Sequence, residues 1–172
     1  MEAGLGVGPG DGLEELLARA VRLASENGAA GQLPFAALVV RAGIVVATGV
    51  NTALRDLDPT AHAEVAAIRA ACRAAGALHL GGALVVSSCE PCALCHSAAA
   101  VAGVARIVYA APKEFVPDLG YPAPADPADL LGRMQAGLRA LAPEQIGYVA
   151  TAGADEPFRR YLSARGGAGH VS

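Results

Sequence analysis

A chain of 172 residues, 53% hydrophobic and 17% charged, is long enough to bury a core around a sheet of several strands and too apolar for a disordered polymer. Its formal net charge of −3 weighs mildly against a polyanion, and therefore nucleic acid, as substrate; the single lysine, Lys113, with arginine carrying the other positive charges, decides nothing. Of four cysteines, Cys89, Cys92 and Cys95 fall within seven positions, a spacing poor for disulfide stapling and suited to metal or redox chemistry.

In chain order, "MEAGLGVGPGDG" carries an early Glu2 and no apolar run, so residues 1–12 read as a flexible leader and the chain is expected to be cytoplasmic. "LEELLARAVRLASENG" has apolar residues at helical spacing and a closing glycine, which predicts a helix over 13–27. "LPFAALVVRAGIVVATGV" is long enough to raise a membrane span. Arg41 and Gly43 interrupt it, and β-branched residues fill both halves, so it predicts two strands, 33–40 and 44–49, joined as a hairpin. Residues 51–59 read as polar loop, and a second helix is expected over 61–75 with Thr60 as N-cap. "ALVVSS" predicts a buried strand, "PCALCHSAAAVAG" a third helix with Pro91 at its first position, and "ARIVYAA" a fourth strand. Five prolines mark residues 112–129 as an irregular loop or lid. "LLGRMQAGLRAL" then predicts a helix, "IGYVAT" a fifth strand and "EPFRRYLSAR" a terminal helix, before a loose tail over 166–172. Helices alternating with strands after the hairpin give an α/β fold, a three-layer α/β/α sandwich around a mixed five-stranded sheet, in one domain spanning 13–165.

The chemistry sits in two short stretches. "TAHAEVAAIRAAC" places His62 and Glu64 in an otherwise apolar first helical turn, and "SSCEPCALCH" begins a second helix with Cys92 thirty residues after His62. Cys92 and Cys95, three apart at a helix N-terminus, turn their sulfurs the same way where the helix dipole favours thiolate. With His62 they form a Cys2His set suited to zinc. Three protein ligands leave the fourth position for water, the count of a catalytic site, and zinc lowers the pKa of such a water from about 15.7 to about 7. Glu64, beside that water and outside the ligand set, is the candidate proton carrier. A redox or zinc-stabilised module built on Cys89, Cys92 and Cys95 is the rival from another class. It gives Glu64 no role.

The joined pattern H-A-E, then E-P-C-x-x-C, is the signature of zinc nucleobase deaminases. On "PFAALVV", "GVN", "DPTAHAEVAAIRAAC", "SSCEPCALC" and "VYAA" the chain resembles the cytidine deaminase-like superfamily over residues 13–162. "SCEPC" and "EPFRRYL" are closest in character to its guanine deaminase branch. The resemblance implies Zn2+ on His62, Cys92 and Cys95, Glu64 as catalytic proton shuttle, and base contacts from the Asn51 side chain, the Ala63 backbone and Phe35. It implies hydrolytic deamination of a free nucleobase, guanine first, then cytosine or an aminotriazine, with tRNA adenosine a further alternative. It also implies a homodimer with exchanged C-terminal segments. Where guanine deaminases carry an aspartate soon after "YAA", this chain reads "PKEFVPDLGYP", leaving Glu114 or Asp118 to fill that place, and "GGAGHVS" lacks their aromatic ending. Cys89, Cys72 and His96 read as ordinary packing positions.

Overall fold

The computed structural model describes residues 12–120, 126 and 128–167. Helix α1 (Leu13–Ala29) leads into strands β1 (Ala36–Arg41) and β2 (Ile44–Val50). A one-turn helix α2 (Ala53–Asp56) precedes α3 (Ala63–Ala75), β3 (Leu84–Ser87), α4 (Ala93–Val101) and β4 (Arg106–Tyr109). Helix α5 (Leu130–Leu141), β5 (Ile146–Tyr148) and α6 (Glu156–Gly167) follow. The strands form one sheet in the order β2-β1-β3-β4-β5. β1 is antiparallel to both β2 and β3, and β3, β4 and β5 run parallel. The mixed five-stranded α/β sandwich expected from sequence is therefore present.

Period-two alternation along each strand divides the core between the two faces. Leu38, Val40, Val86 and Val108 pack with Leu16 and Leu17 of α1 and Phe158 and Tyr161 of α6. Ala37, Val39, Val85 and Ile107 pack with Ala63, Ala67 and Ile68 of α3 and Ala99 of α4. Nearly all these side chains are inaccessible to solvent. The hairpin turns through Ala42 and Gly43, both at positive φ, the backbone twist that a two-residue connection requires.

Gly49 sets how close α3 can lie to the sheet. A Cβ there would stand 2.4 Å from both the Ala63 carbonyl oxygen and the Ala67 nitrogen. Only a residue without a side chain permits that approach.

Several boundaries differ from expectation. β1 starts at Ala36 because Pro34 has no N–H to give a ladder, and the Phe35 N–H turns back onto Leu33 O at 2.8 Å. The loop over 51–59 contains α2, started by the Asn51 Oδ1 accepting from Ala53 N–H at 3.0 Å. Thr60 is not the cap of α3: its N–H and hydroxyl both donate to Asp58 Oδ1, and His62 occupies the N-cap position. Pro91 likewise lies before α4, whose N-cap is Cys92. The loop after β4 includes a short 3-10 turn, Lys113–Phe115, and α6 extends through the first two glycines of the expected tail. The leader over 1–11, residues 121–125 of the proline loop and the tail from 168 lie outside the described residues. Among the described residues no helix is long and apolar enough to cross a membrane.

Candidate metal centre and active site

The parallel strands deliver their following segments to one edge of the sheet, where open α/β sheets place ligand sites. β3 ends at Ser87, the chain crosses Ser88 to Pro91, and Cys92 opens α4. On the same face α3 opens at His62. His62 and Cys92 are both N-caps, with backbone in the extended region and no side-chain cap hydrogen bond, and Cys95 is three residues into α4.

His62 Nδ1 lies 3.4 Å from Cys92 Sγ and 3.5 Å from Cys95 Sγ, and the two sulfurs are 3.7 Å apart. Tetrahedral zinc at ordinary bond lengths requires sulfur–sulfur and sulfur–nitrogen edges of about 3.8 and about 3.5 Å. The three donors already form that triangle, so the residues present fit the ion. Among the described residues these are the only three such groups brought together, and Cys89 is not one of them.

The electrostatics fit the same use. The Cys92 thiol is pulled down to about 4 by the hydrogen bond from Cys95, with His62 adding to the effect against the cost of burial. Cys95 keeps its proton, pushed well up as donor to Cys92 and by burial. The hydrogen bond to Cys92 raises the His62 imidazole above its ordinary value in spite of partial burial. A metal replaces the protons that this cluster now shares.

Glu64 stands beside the donors without belonging to them. Its Oε2 is 3.1 Å from Cys95 Sγ, and its Oε1 accepts from the Ser87 hydroxyl at 2.7 Å. Glu64 and Ser87 are both buried. Ser87 was not singled out from sequence, although the alternation that turns Val85 toward α3 turns Ser87 the same way.

A cavity of about 430 Å³ joins these groups to the residues expected to read a substrate: Phe35 and Asn51 line it with His62, Glu64, Cys92 and Cys95. Phe35 is fixed edge-on against Phe158, ring centroids 6.1 Å apart. The Asn51 Oδ1 is occupied by Ala53 N–H, which leaves the Nδ2 donors as the part of this side chain available to a ligand. Ala63 is wholly buried and is not part of the lining; what it offers is a first-turn N–H without an intrahelical acceptor. Val116, Pro117, Asp118 and Leu119 also line the cavity. Asp118 thus reaches the cavity, whereas Glu114 is 61% exposed and faces Arg139 at 3.8 Å.

Glu90, also missed, is buried and lines both this cavity and a second one of about 560 Å³ that shares His62 and Cys92 with it. Burial works against its charge, yet Arg139 and the Lys113 and Gln135 donors hold its carboxyl below the usual carboxylate range. Burial pushes the Cys89 thiol up to about 12, as expected for a packing residue. Cys72 points at Leu78 O from 3.7 Å. His96 is buried with no partner for its Nε2, and burial lowers its pKa.

A Cys2His triangle at two helix starts, with a buried glutamate beside it and a mixed five-stranded sheet behind, defines a zinc-type deaminase. Residues 11–111 match the family described as the cytidine and deoxycytidylate deaminase zinc-binding region, and the chain belongs to that family. Guanine deaminase of Bacillus subtilis (strain 168) is 42% identical over 109 residues, 63% of this chain and 70% of the relative. The X-ray structure of the Bacillus subtilis guanine deaminase aligns with a TM-score of 0.58 at 34% identity, covering 75% of this chain and 95% of that one. The tRNA-specific adenosine deaminase of Aquifex aeolicus (strain VF5) is 32% identical over 100 residues, 58% of this chain and 66% of the relative. Guanine deaminase from Nitrosomonas europaea shares the fold, with a TM-score of 0.68 at 23% identity over 96% of this chain and 98% of that one.

Proposed function

We propose that this protein hydrolyses the exocyclic amino group of a free nucleobase or similar small amino-heterocycle, guanine first, releasing ammonia. The observation that carries the reading is one cavity that unites the metal donors, Glu64, Asn51, Phe35 and Asp118. Bound on His62, Cys92 and Cys95, zinc supplies a Lewis acid that brings the pKa of a water near 7.

Glu64, steadied by Ser87, takes a proton from the attacking water and gives it to a ring nitrogen. The water oxygen adds to the amino-bearing carbon. The tetrahedral carbon then expels ammonia, to which Glu64 passes the second proton, and a carbonyl is left. Asn51 Nδ2 donates to a ring acceptor and Asp118 accepts from the N–H edge of an amidine, a pairing that suits guanine. Phe35 and Leu119 supply apolar walls that keep bulk water from the ring.

The Bacillus subtilis relative and the chain's negative charge support a small substrate. Likeness to the Aquifex tRNA deaminase favours a second reading, deamination of adenosine in tRNA. A homodimer is part of the first reading, and sedimentation of the full chain tests it.

The deciding experiment measures ammonia release by zinc-replete protein from guanine, cytosine, adenine, an aminotriazine and tRNA. Turnover of guanine or another free ring is expected. Glu64→Gln should keep its zinc and lose about 10²- to 10⁴-fold in rate. Fully loaded protein that turns over no free ring refutes the first reading, and turnover of tRNA alone replaces it with the second.

A further inference from the structure

Residues 116–119 line the cavity, and apart from the packing of Val116 and Leu119 on the core they belong to a segment with few holds on the rest of the fold. Its hydrogen bonds at Phe115, Val116 and Gly120 close onto Pro112, Lys113 and Asp118, all within the segment itself. Among the described residues it is tied outward by hydrogen bonds at two points. At its far end Arg165 of α6 donates to the Leu119 and Gly120 carbonyls at 3.0 and 3.2 Å. At its root the Lys113 N–H donates to Glu90 Oε2 at 3.2 Å.

Glu90 is itself held. Arg139 of α5 donates to its Oε1 through Nε at 2.5 Å and also through Nη2. Gln135, one turn earlier, donates from one nitrogen to Glu90 Oε1 at 3.2 Å and to the Pro91 carbonyl at 2.8 Å. The Glu90 side chain is 1% exposed and that of Arg139 41%. Two guanidinium donors and the Gln135 amide thus converge on the single oxygen Oε1 and pin it in place, with charge-assisted bonds the stronger share. With Oε1 so held, Oε2 is the oxygen left to meet the Lys113 N–H, three residues before the lining of the cavity begins.

We infer that Arg139 is a positioning residue: through Glu90 it sets the root of the segment that brings Asp118 to the substrate. Arg139 does not line the cavity, and Glu64 is held independently by Ser87 and α3. Loss of Arg139 therefore loosens substrate recognition and spares the proton chemistry.

The inference rests on the deaminase reading, and its test separates the two. In zinc-replete full-length protein, Arg139→Ala should raise KM for the best ring substrate about tenfold with kcat within about twofold, the pattern of binding lost equally in ground and transition states. Zinc content should stay unchanged, and amide exchange over 113–119 should accelerate. Arg139→Lys, which keeps the charge and loses one of the two donors to Oε1, should fall between. Glu114→Gln, which alters the exposed carboxylate 3.8 Å from Arg139, should match the parent. A merely structural role for Arg139 lowers Tm and the active fraction but leaves KM and loop exchange at parental values, and that result overturns the inference. If the parent turns over nothing, the deaminase reading fails, and unchanged exchange over 113–119 would still decide against Arg139 by itself.

Discussion

Gly49→Ala tests the link between sheet packing and the metal centre. The added methyl would lie 2.4 Å from the Ala63 oxygen and the Ala67 nitrogen, where ordinary contacts begin at 3.4 Å, so α3 must retreat by about 1 Å. Both obstructing atoms are helix backbone and cannot rotate aside. Overpacking of this kind costs about 1–3 kcal/mol. For a domain of this size that lowers Tm by about 2–12 °C. The same retreat carries His62, immediately before Ala63, away from Cys92 and Cys95, whereas metal bonds tolerate about 0.2 Å. If the ion restores the triangle only by restoring the strain, zinc affinity falls by that energy, about 5- to 140-fold. Thermal melts of apo and loaded protein, with zinc competition against a calibrated chelator, measure both quantities. A variant with lowered Tm and parental zinc affinity would refute the mechanical route from β2 to the metal. One with neither change would refute the close approach itself.

Ser87→Ala should keep zinc and KM and lower kcat about tenfold, since a freed Glu64 carboxylate no longer holds one orientation. Ser87→Thr, which retains the hydroxyl, should recover most of it, and steady-state kinetics on both variants would expose an unchanged kcat. Zinc uptake should strengthen as pH rises. His62 must be neutral and Cys95 deprotonated to bind, and the shared hydrogen bonds raise both groups, so imidazole loss extends above its ordinary value of about 6.5. Chelator competition across about pH 6–9 should show affinity climbing throughout, and a flat profile would contradict proton release on binding.

The sequence was most legible where a single local rule decides the outcome. Alternating β-branched runs gave the strands, and Leu130–Leu141 follows its helical spacing from end to end. The donor set was legible because thiol and imidazole have few uses in such an arrangement. Thr60 was misread because a preferred capping residue had a nearer partner in Asp58, a competition that spacing alone does not rank. Ser87 and Glu90 escaped notice since their roles depend on partners 23 and 49 positions away, Glu64 and Arg139. Asp118 and Glu114 were indistinguishable as letters. Only the path of the segment turns one toward the cavity and the other toward Arg139.

Both helices that carry the donors begin without the hydroxyl or carboxamide that ordinarily finishes a helix start, because an imidazole and a thiol stand there instead. The ion is thus a shared end-piece for α3 and α4 as well as a reagent. Without the ion, the link between the two helix starts would fall to the hydrogen bonds among His62, Cys92 and Cys95.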